Sequence, residues 1–125
     1  MLIEIDTLSE VPIYIQMRNE IVLGIGRGQL SIGEKLPTVR DMAKEAGINT
    51  MTVQKAYNLL KNEGYIEIDR RQGAKVSDIR SDRIEYQNKL QKSLELILTE
   101  AELNGMDKKS VLDICTEVIN KINIK

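Results

Sequence analysis

The residues best suited to specific polar contacts are hydroxyl and amide side chains concentrated in one segment of this 125-residue chain. The segment begins at Asn49 and continues with Thr50, Met51, Thr52, Gln54, Lys55 and Asn58. The small hydroxyl and amide side chains among them can bond to base edges or phosphates without holding the protein and nucleic-acid backbones apart. The alternative interpretation is that they are solvated residues on an ordinary helical hairpin.

Two short helices are predicted to position this segment. Thr38 and Asp41 have the spacing of a capping box, which starts the first helix, and Gly47 can end it in a left-handed conformation. Asn49 is a good N-cap for the second helix. Apolar residues at helical spacing predict a buried stripe on this second helix: Val53, Ala56, Tyr57 and Leu60. Two helices joined by so short a turn match helix-turn-helix geometry.

A basic hairpin is predicted directly after these helices. Residues 65–69 alternate as a strand does, and residues 74–76 form a short return strand. The turn between them holds Arg70, Arg71, Gln72 and Gly73, so that two guanidinium groups are adjacent. A helix-turn-helix followed by such a hairpin is a winged helix, whose basic tip can lie along a phosphate backbone or reach the minor groove.

A family resemblance is carried by LPTVRDMAKEAGINTMTVQKAYNLLKNEGYIE, which begins at Leu36, and it extends upstream through PIYIQMRNEIVLGIGRGQLSIGEKLP. This sequence resembles the N-terminal DNA-binding domain of the GntR family of bacterial transcription regulators. The part after the hairpin resembles the YtrA subfamily. The resemblance implies a homodimer that binds double-stranded operator DNA and usually represses, here an operon that encodes an ABC-type transporter.

The resemblance also assigns site residues. It implies a DNA contact at Arg40 and places the start of the recognition helix at Asn49–Gln54 and the wing glycine at Gly73. Together with the basic residues of the motif, the predicted DNA contacts are Arg40, Asn49, Thr50, Met51, Thr52, Gln54, Lys55, Arg70, Arg71 and Gly73. Arg71 and Lys75 stand where the family usually has a glycine and an aromatic residue in the wing.

The rest of the chain is expected to support the winged helix and to pair it with a second copy. A helix from Pro12 to about Arg27 is predicted upstream, after a strand-like piece at residues 2–5. Gly24 and Gly26 each cost about 1 kcal/mol inside a helix. Either the helix ends early or another backbone approaches closely. Residues 77–82 form a polar candidate linker.

Two amphipathic helices are predicted after the linker, at 83–104 and after Asp107, with Gly105 between them. Their stripes could pack on the winged helix of the same chain or on the same helices of a second copy. A second copy would place two recognition helices about 34–36 Å apart on one duplex. We therefore predict a DNA-binding domain at residues 1–77 and a two-helix dimerisation region at 78–125. The predicted dimerisation residues are Leu90, Leu94, Ile97, Leu98, Ala101, Val111, Ile114, Val118 and Ile122.

Composition limits the other functions. The net charge is −1, but residues 31–80 hold nine basic and seven acidic side chains. The chain has no histidine and one cysteine, Cys115, so we expect neither an enzyme nor a metal or cofactor site. No apolar run could span a membrane and no signal peptide is recognisable, so a cytoplasmic protein is expected. The alternatives to a DNA-binding regulator are a winged-helix adaptor that binds protein, and a small-molecule sensor with a pocket between the last two helices.

Overall fold

The computed structural model describes residues 3–79, 83–122 and 124. The chain divides into two compact units, Met1–Ile79 and Arg80–Lys125. The helices and strands of the described residues are α1 (Ile13–Gly26), α2 (Val39–Ala46), α3 (Thr50–Asn62), β1 (Ile66–Asp69), β2 (Gly73–Val76), α4 (Arg83–Leu103) and α5 (Lys108–Lys121). The predicted fold class is confirmed: the chain is mostly α-helical with a small β-hairpin, and its first unit is a winged helix-turn-helix.

α2 and α3 begin at the capping residues predicted for them, and α2 ends at the predicted glycine. The Thr38 hydroxyl accepts a hydrogen bond from the Asp41 amide at 3.1 Å, and Gly47 ends α2 with a φ of 69°. Asn49 Oδ1 accepts from the Thr52 amide at 2.8 Å and starts α3. Satisfying these amides holds the first turns of both helices in place.

The core of the first unit is formed around α3. All four residues of its predicted stripe are buried, against Met17 and Ile21 of α1 and Met42 of α2. Tyr57 also donates its hydroxyl hydrogen to the Pro37 carbonyl oxygen at 2.7 Å, which ties the middle of α3 to the loop before α2. Burial raises the pKa of Tyr57, and the negative charge of Glu45 raises it further.

The hairpin is held at both edges of its second strand. β1 and β2 pair antiparallel, with Asp69 opposite Gly73 across a three-residue turn, and β1 begins one residue later than predicted. On the other edge of β2, the Gly33 amide donates to the Val76 carbonyl at 2.8 Å, and the Leu36 amide donates to the Ala74 carbonyl at 2.9 Å. This support from residues 33–36 was not predicted.

The N-terminal segment differs in detail from its prediction. α1 begins at Ile13, with Pro12 as its N-cap, and continues through the buried Gly24 to Gly26. Leu2 lies outside the described residues. No strand forms at residues 3–5, although Ile3 and Ile5 are partly buried against the core. Their apolar side chains therefore pack without strand pairing.

α1 and the end of α3 are joined by one bidentate ion pair. Arg18 Nε lies 2.8 Å from Glu63 Oε1, and Arg18 Nη2 donates to Glu63 Oε2 at 3.1 Å. The same guanidinium lies 5.4 Å from the centroid of the Tyr65 ring, just before β1. Arg18 thus connects three elements of the winged helix.

The second unit consists of α4 and α5 joined at Gly105, whose φ is 88°. Asp107 Oδ1 accepts from the Ser110 amide at 2.8 Å and caps α5, and this hydrogen bond lowers the pKa of Asp107. No residue of α4 or α5, both of which are described in full, is buried. The prediction of Ile122 within the last helix is wrong, because α5 ends at Lys121 and Ile122 is its C-cap.

The predicted linker at 77–82 starts too early. Ser77 is buried and its amide donates to the Tyr65 carbonyl at 3.0 Å, so this residue continues the pairing of the hairpin. Residues 80–82 lie outside the described part of the chain.

Candidate nucleic-acid interface

The face of α3 opposite its buried stripe is polar and open to solvent. Met51, Gln54, Lys55 and Asn58 are all exposed there. Met51 is apolar yet 81% exposed, so burial in the core does not explain an apolar residue at this position. Apolar side chains of this kind can contact the methyl group of thymine in a major groove.

The first turn of α3 presents hydroxyls and an amide in a fixed arrangement. Asn49 Oδ1 accepts both from the Thr52 amide and from the Thr52 hydroxyl, the latter at 2.9 Å. Asn49 and Thr50 are exposed, whereas Thr52 is half-buried. The Asn49 amide nitrogen, the Thr50 hydroxyl and the Thr52 oxygen lone pairs are therefore the groups that this turn can offer to a ligand.

Two exposed amides lie side by side farther along the same face. Gln54 Nε2 donates to Asn58 Oδ1 at 3.0 Å. Asn58 was predicted to lie on the outer side of α3 but was not among the predicted DNA contacts. Its spacing of four residues from Gln54 was the available signal, since such pairs are neighbours on a helix surface.

The cations predicted to contact DNA differ in what surrounds them. Arg40 of α2 is exposed, and no ion pair or hydrogen bond of its guanidinium occurs among the described residues. The Lys55 ammonium lies 4.2 Å from the centroid of the Tyr14 ring on α1. Lys55 would have to give up this cation–π contact to move to a phosphate.

The tip of the wing carries Arg70 and Arg71, both of which are exposed. Asp69 Oδ1 accepts from the Arg71 amide at 2.8 Å, and Gly73 has a φ of 77°, a left-handed conformation that favours glycine. Behind the tip, Lys75 Nζ lies 3.8 Å from Glu67 Oε2 across the hairpin. Lys75, where the resemblance places an aromatic residue, thus has an acidic neighbour, while no ion pair of the two arginines at the tip occurs among the described residues.

All ten predicted DNA contacts lie in the first unit, on α2, on α3 with its N-cap, and on the wing. Nine of them are exposed and Thr52 is half-buried. Their roles in binding DNA remain predictions.

The described residues offer little for other chemistry. Within them, no three carboxylate, cysteine or histidine side chains are grouped as metal ligands would be. A cavity of about 510 Å³ is lined by the N-terminal segment and α1, including Glu4, Asp6 and Glu20. It therefore lies in the first unit, not between the last two helices where a sensor pocket was considered. None of the described helices is long and apolar enough to cross a membrane.

A helix-turn-helix with a solvent-exposed polar second helix, followed by a hairpin with a basic tip, defines a winged-helix DNA-binding protein. The family model of bacterial regulatory proteins, gntR family, matches residues 13–76. The chain belongs to this GntR family and is a DNA-binding transcription regulator rather than an enzyme.

Two curated relatives from Bacillus subtilis strain 168 agree with this assignment. The uncharacterised regulator YhcF is 31% identical over 106 residues, which are 84% of this chain and 88% of YhcF. The transcriptional repressor YtrA is 41% identical over 80 residues, which are 62% of this chain and 59% of YtrA. The second match supports the YtrA subfamily.

Three solved structures are also similar to this chain. A transcriptional antiterminator from Listeria monocytogenes EGD-e is similar with a TM-score of 0.83 at 28% identity, covering 94% of this chain and 90% of its own. YtrA from Sulfolobus acidocaldarius, a GntR-family transcription factor, has a TM-score of 0.68 at 34% identity, covering 79% of this chain and 99% of its own. The DNA-binding domain of AraR, solved in complex with operator ORX1, has a TM-score of 0.53 at 28% identity, covering 58% of this chain and 89% of its own.

Proposed function

We propose that this protein is a homodimeric transcription repressor that binds an inverted-repeat operator. In each copy the N-terminal half of α3 enters the major groove and the wing contacts the adjacent backbone or minor groove. Residues 1–77 act as the DNA-binding domain and residues 78–125 as the dimerisation region. Repression is supported by the similarity to YtrA, a transcriptional repressor. By the same subfamily resemblance, a transporter operon is the proposed target.

The observation that carries this proposal is the division of α3 into two faces. Its stripe from Val53 to Leu60 is buried, while Met51, Gln54 and Asn58 are exposed. Met51 is 81% exposed between the polar residues Thr50 and Thr52. A face that combines one apolar side chain with amide side chains suits the reading of base edges, because thymine methyls and adenine amino groups occur side by side in the major groove.

Dimerisation is supported by the apolar side chains of the second unit. Leu90, Leu94 and Leu98 of α4 and Ile114 and Val118 of α5 are all exposed in the single chain. Burying one leucine-sized side chain stabilises a protein by about 1.5–3 kcal/mol. A two-fold pairing of these helices would bury several per copy, and it would carry two copies of α3 to one duplex.

The proposal is tested by measuring the affinity of purified protein for a duplex from its own promoter region, at several salt concentrations. Binding that neutralises phosphates falls linearly on a log–log plot as salt rises. Arg40→Ala removes one proposed phosphate contact per subunit. The slope should therefore decrease by about one for each lost contact, and affinity should fall at every salt concentration.

Lys61→Ala is the matched control, since Lys61 is also exposed and basic but lies in the last turn of α3. It should leave the salt slope unchanged. Wild-type protein that binds no promoter duplex at low salt would contradict the proposed function. Equal effects of Arg40→Ala and Lys61→Ala would contradict the proposed docking of α2 and α3.

A further inference from the structure

We propose that Gln54 and Asn58 together read one adenine in each half of the operator. Gln54 contacts the base, and Asn58 is a positioning residue that holds the Gln54 amide in the orientation the base requires. The inference rests on the proposed function, in which the outer face of α3 enters the major groove, and it adds the base and the residue that determines specificity.

The geometry of the pair leaves the right groups available. Gln54 Nε2 carries two hydrogens, of which one is donated to Asn58 Oδ1 at 3.0 Å. The other hydrogen and the neighbouring Oε1 have no partner among the described residues. Both residues are exposed on the face that also carries Met51. In the proposed arrangement Asn58 takes the hydrogen that points away from Oε1, so the remaining hydrogen and Oε1 present one donor and one acceptor, side by side, to whatever occupies that face.

Adenine matches this arrangement. Its major-groove edge presents the N7 acceptor next to the N6 amino donor, so Gln54 can donate to N7 while Oε1 accepts from N6. Guanine presents N7 and O6, which are both acceptors, so Oε1 would lie against O6 without a hydrogen between them. The same side chain should therefore bind adenine and reject guanine at one position.

Asn58 contributes by fixing which groups point outward. A free glutamine side chain has several rotamers and can turn its amide over, so that ordering it on binding costs conformational entropy. The hydrogen bond to Asn58 selects one arrangement before DNA arrives, as preorganised binding sites do. Loss of Asn58 should therefore weaken discrimination at the Gln54 position and nowhere else.

The test uses duplexes with a randomised central segment, from which wild-type protein selects its preferred sequence. Affinity is then measured for that duplex and for versions in which each A·T pair is replaced by G·C. The proteins are wild type, Gln54→Ala, Asn58→Ala and the double variant. Asn62→Ala serves as the control, because Asn62 is an exposed amide residue at the end of the same helix.

Wild type should prefer adenine over guanine at one position of each half-site by roughly 5- to 140-fold, the range of a bidentate base contact. Gln54→Ala should abolish this preference. Asn58→Ala should reduce it by about 2- to 12-fold, the range of one hydrogen bond, at the same position only. The double variant should match Gln54→Ala alone, because Asn58 acts through Gln54, and Asn62→Ala should change nothing.

If Asn58→Ala lowers the affinity for every duplex equally, or leaves every affinity unchanged, the positioning role of Asn58 is overturned. An adenine preference that survives Gln54→Ala would overturn the base contact. Both results leave the proposed function intact, because the protein still selects a duplex. Failure of wild type to select any sequence would instead overturn both proposals.

Discussion

Tyr57 is the residue on which the placement of α3 most depends. It fills the core between α2 and α3, and its hydroxyl donates to the Pro37 carbonyl oxygen at 2.7 Å. The tyrosine was recognisable in the sequence as part of an apolar stripe. Its hydrogen bond was not, because the acceptor is a backbone oxygen twenty residues away, brought close only by the fold.

Tyr57→Phe should lower the free energy of unfolding by about 1 kcal/mol, the net value of one hydrogen bond. Burial raises the pKa of the phenol in the folded state. Its stabilising contribution is therefore complete below the ordinary tyrosine pKa of about 10 and decreases as the pH rises above it. Thermal unfolding at neutral and alkaline pH should show the advantage of wild type over Tyr57→Phe shrinking with pH. A difference in stability between the two proteins that stays constant with pH would contradict the raised pKa of Tyr57.

Other side-chain contacts also join either neighbours in the sequence or residues that are distant in it. The caps at Thr38 and Asn49 follow from neighbours within three residues, so the sequence predicts them. The contact of Lys55 with Tyr14 joins residues of two helices that meet only in the fold. Local chemistry could thus be predicted from the sequence, whereas contacts between helices required the structure.

Among the helices and strands, the wing was only partly predicted from the sequence. The strands and the arginine tip were predicted from alternation and turn chemistry. The pairing of residues 33–36 with the outer edge of β2 was not, because that loop has no strand pattern of its own. This third segment holds β2 from the side opposite β1. The wing is therefore anchored, and its tip can keep a defined shape.

Gly73→Ala tests the importance of that shape. A left-handed conformation costs a residue with a Cβ roughly 1–2 kcal/mol, so the turn should rearrange or the hairpin should lose about that much stability. DNA affinity should fall, because Arg70 and Arg71 would be displaced. Binding assays and thermal unfolding measure the two effects.

Gly26→Ala is the control for this variant. Gly26 lies at the end of α1, and nothing is within 4 Å of the position that a Cβ would occupy. Alanine there should leave DNA affinity unchanged and raise stability by up to about 1 kcal/mol. Equal DNA affinity of wild type and Gly73→Ala would contradict the importance of the wing's shape for binding.

The two units of the molecule differ in how far a single chain buries their apolar residues. The first unit encloses a core that includes α1, α2, α3 and the hairpin. The second has two helices, each of which ends one residue before its predicted end, and none of its helical residues is buried. Amphipathic spacing in the sequence predicted both sets of stripes equally well. The spacing alone does not predict which apolar stripe is buried within a single chain, because burial depends on packing between elements that are distant in sequence.

Dimerisation through α4 can be tested with two substitutions on opposite sides of the helix. Leu94 belongs to the stripe with Leu90 and Ile97 and is 40% exposed, whereas Leu96 is on the other side and is 66% exposed. Leu94→Glu would place a charge in the proposed interface, where desolvating it is costly. Sedimentation should show this variant as single chains, and its affinity for an operator with two half-sites should fall toward that for one half-site. Leu96→Glu should remain dimeric and bind as wild type does. Dimers in both variants would place the contact between copies elsewhere, and single chains of wild type at working concentration would contradict the dimer itself.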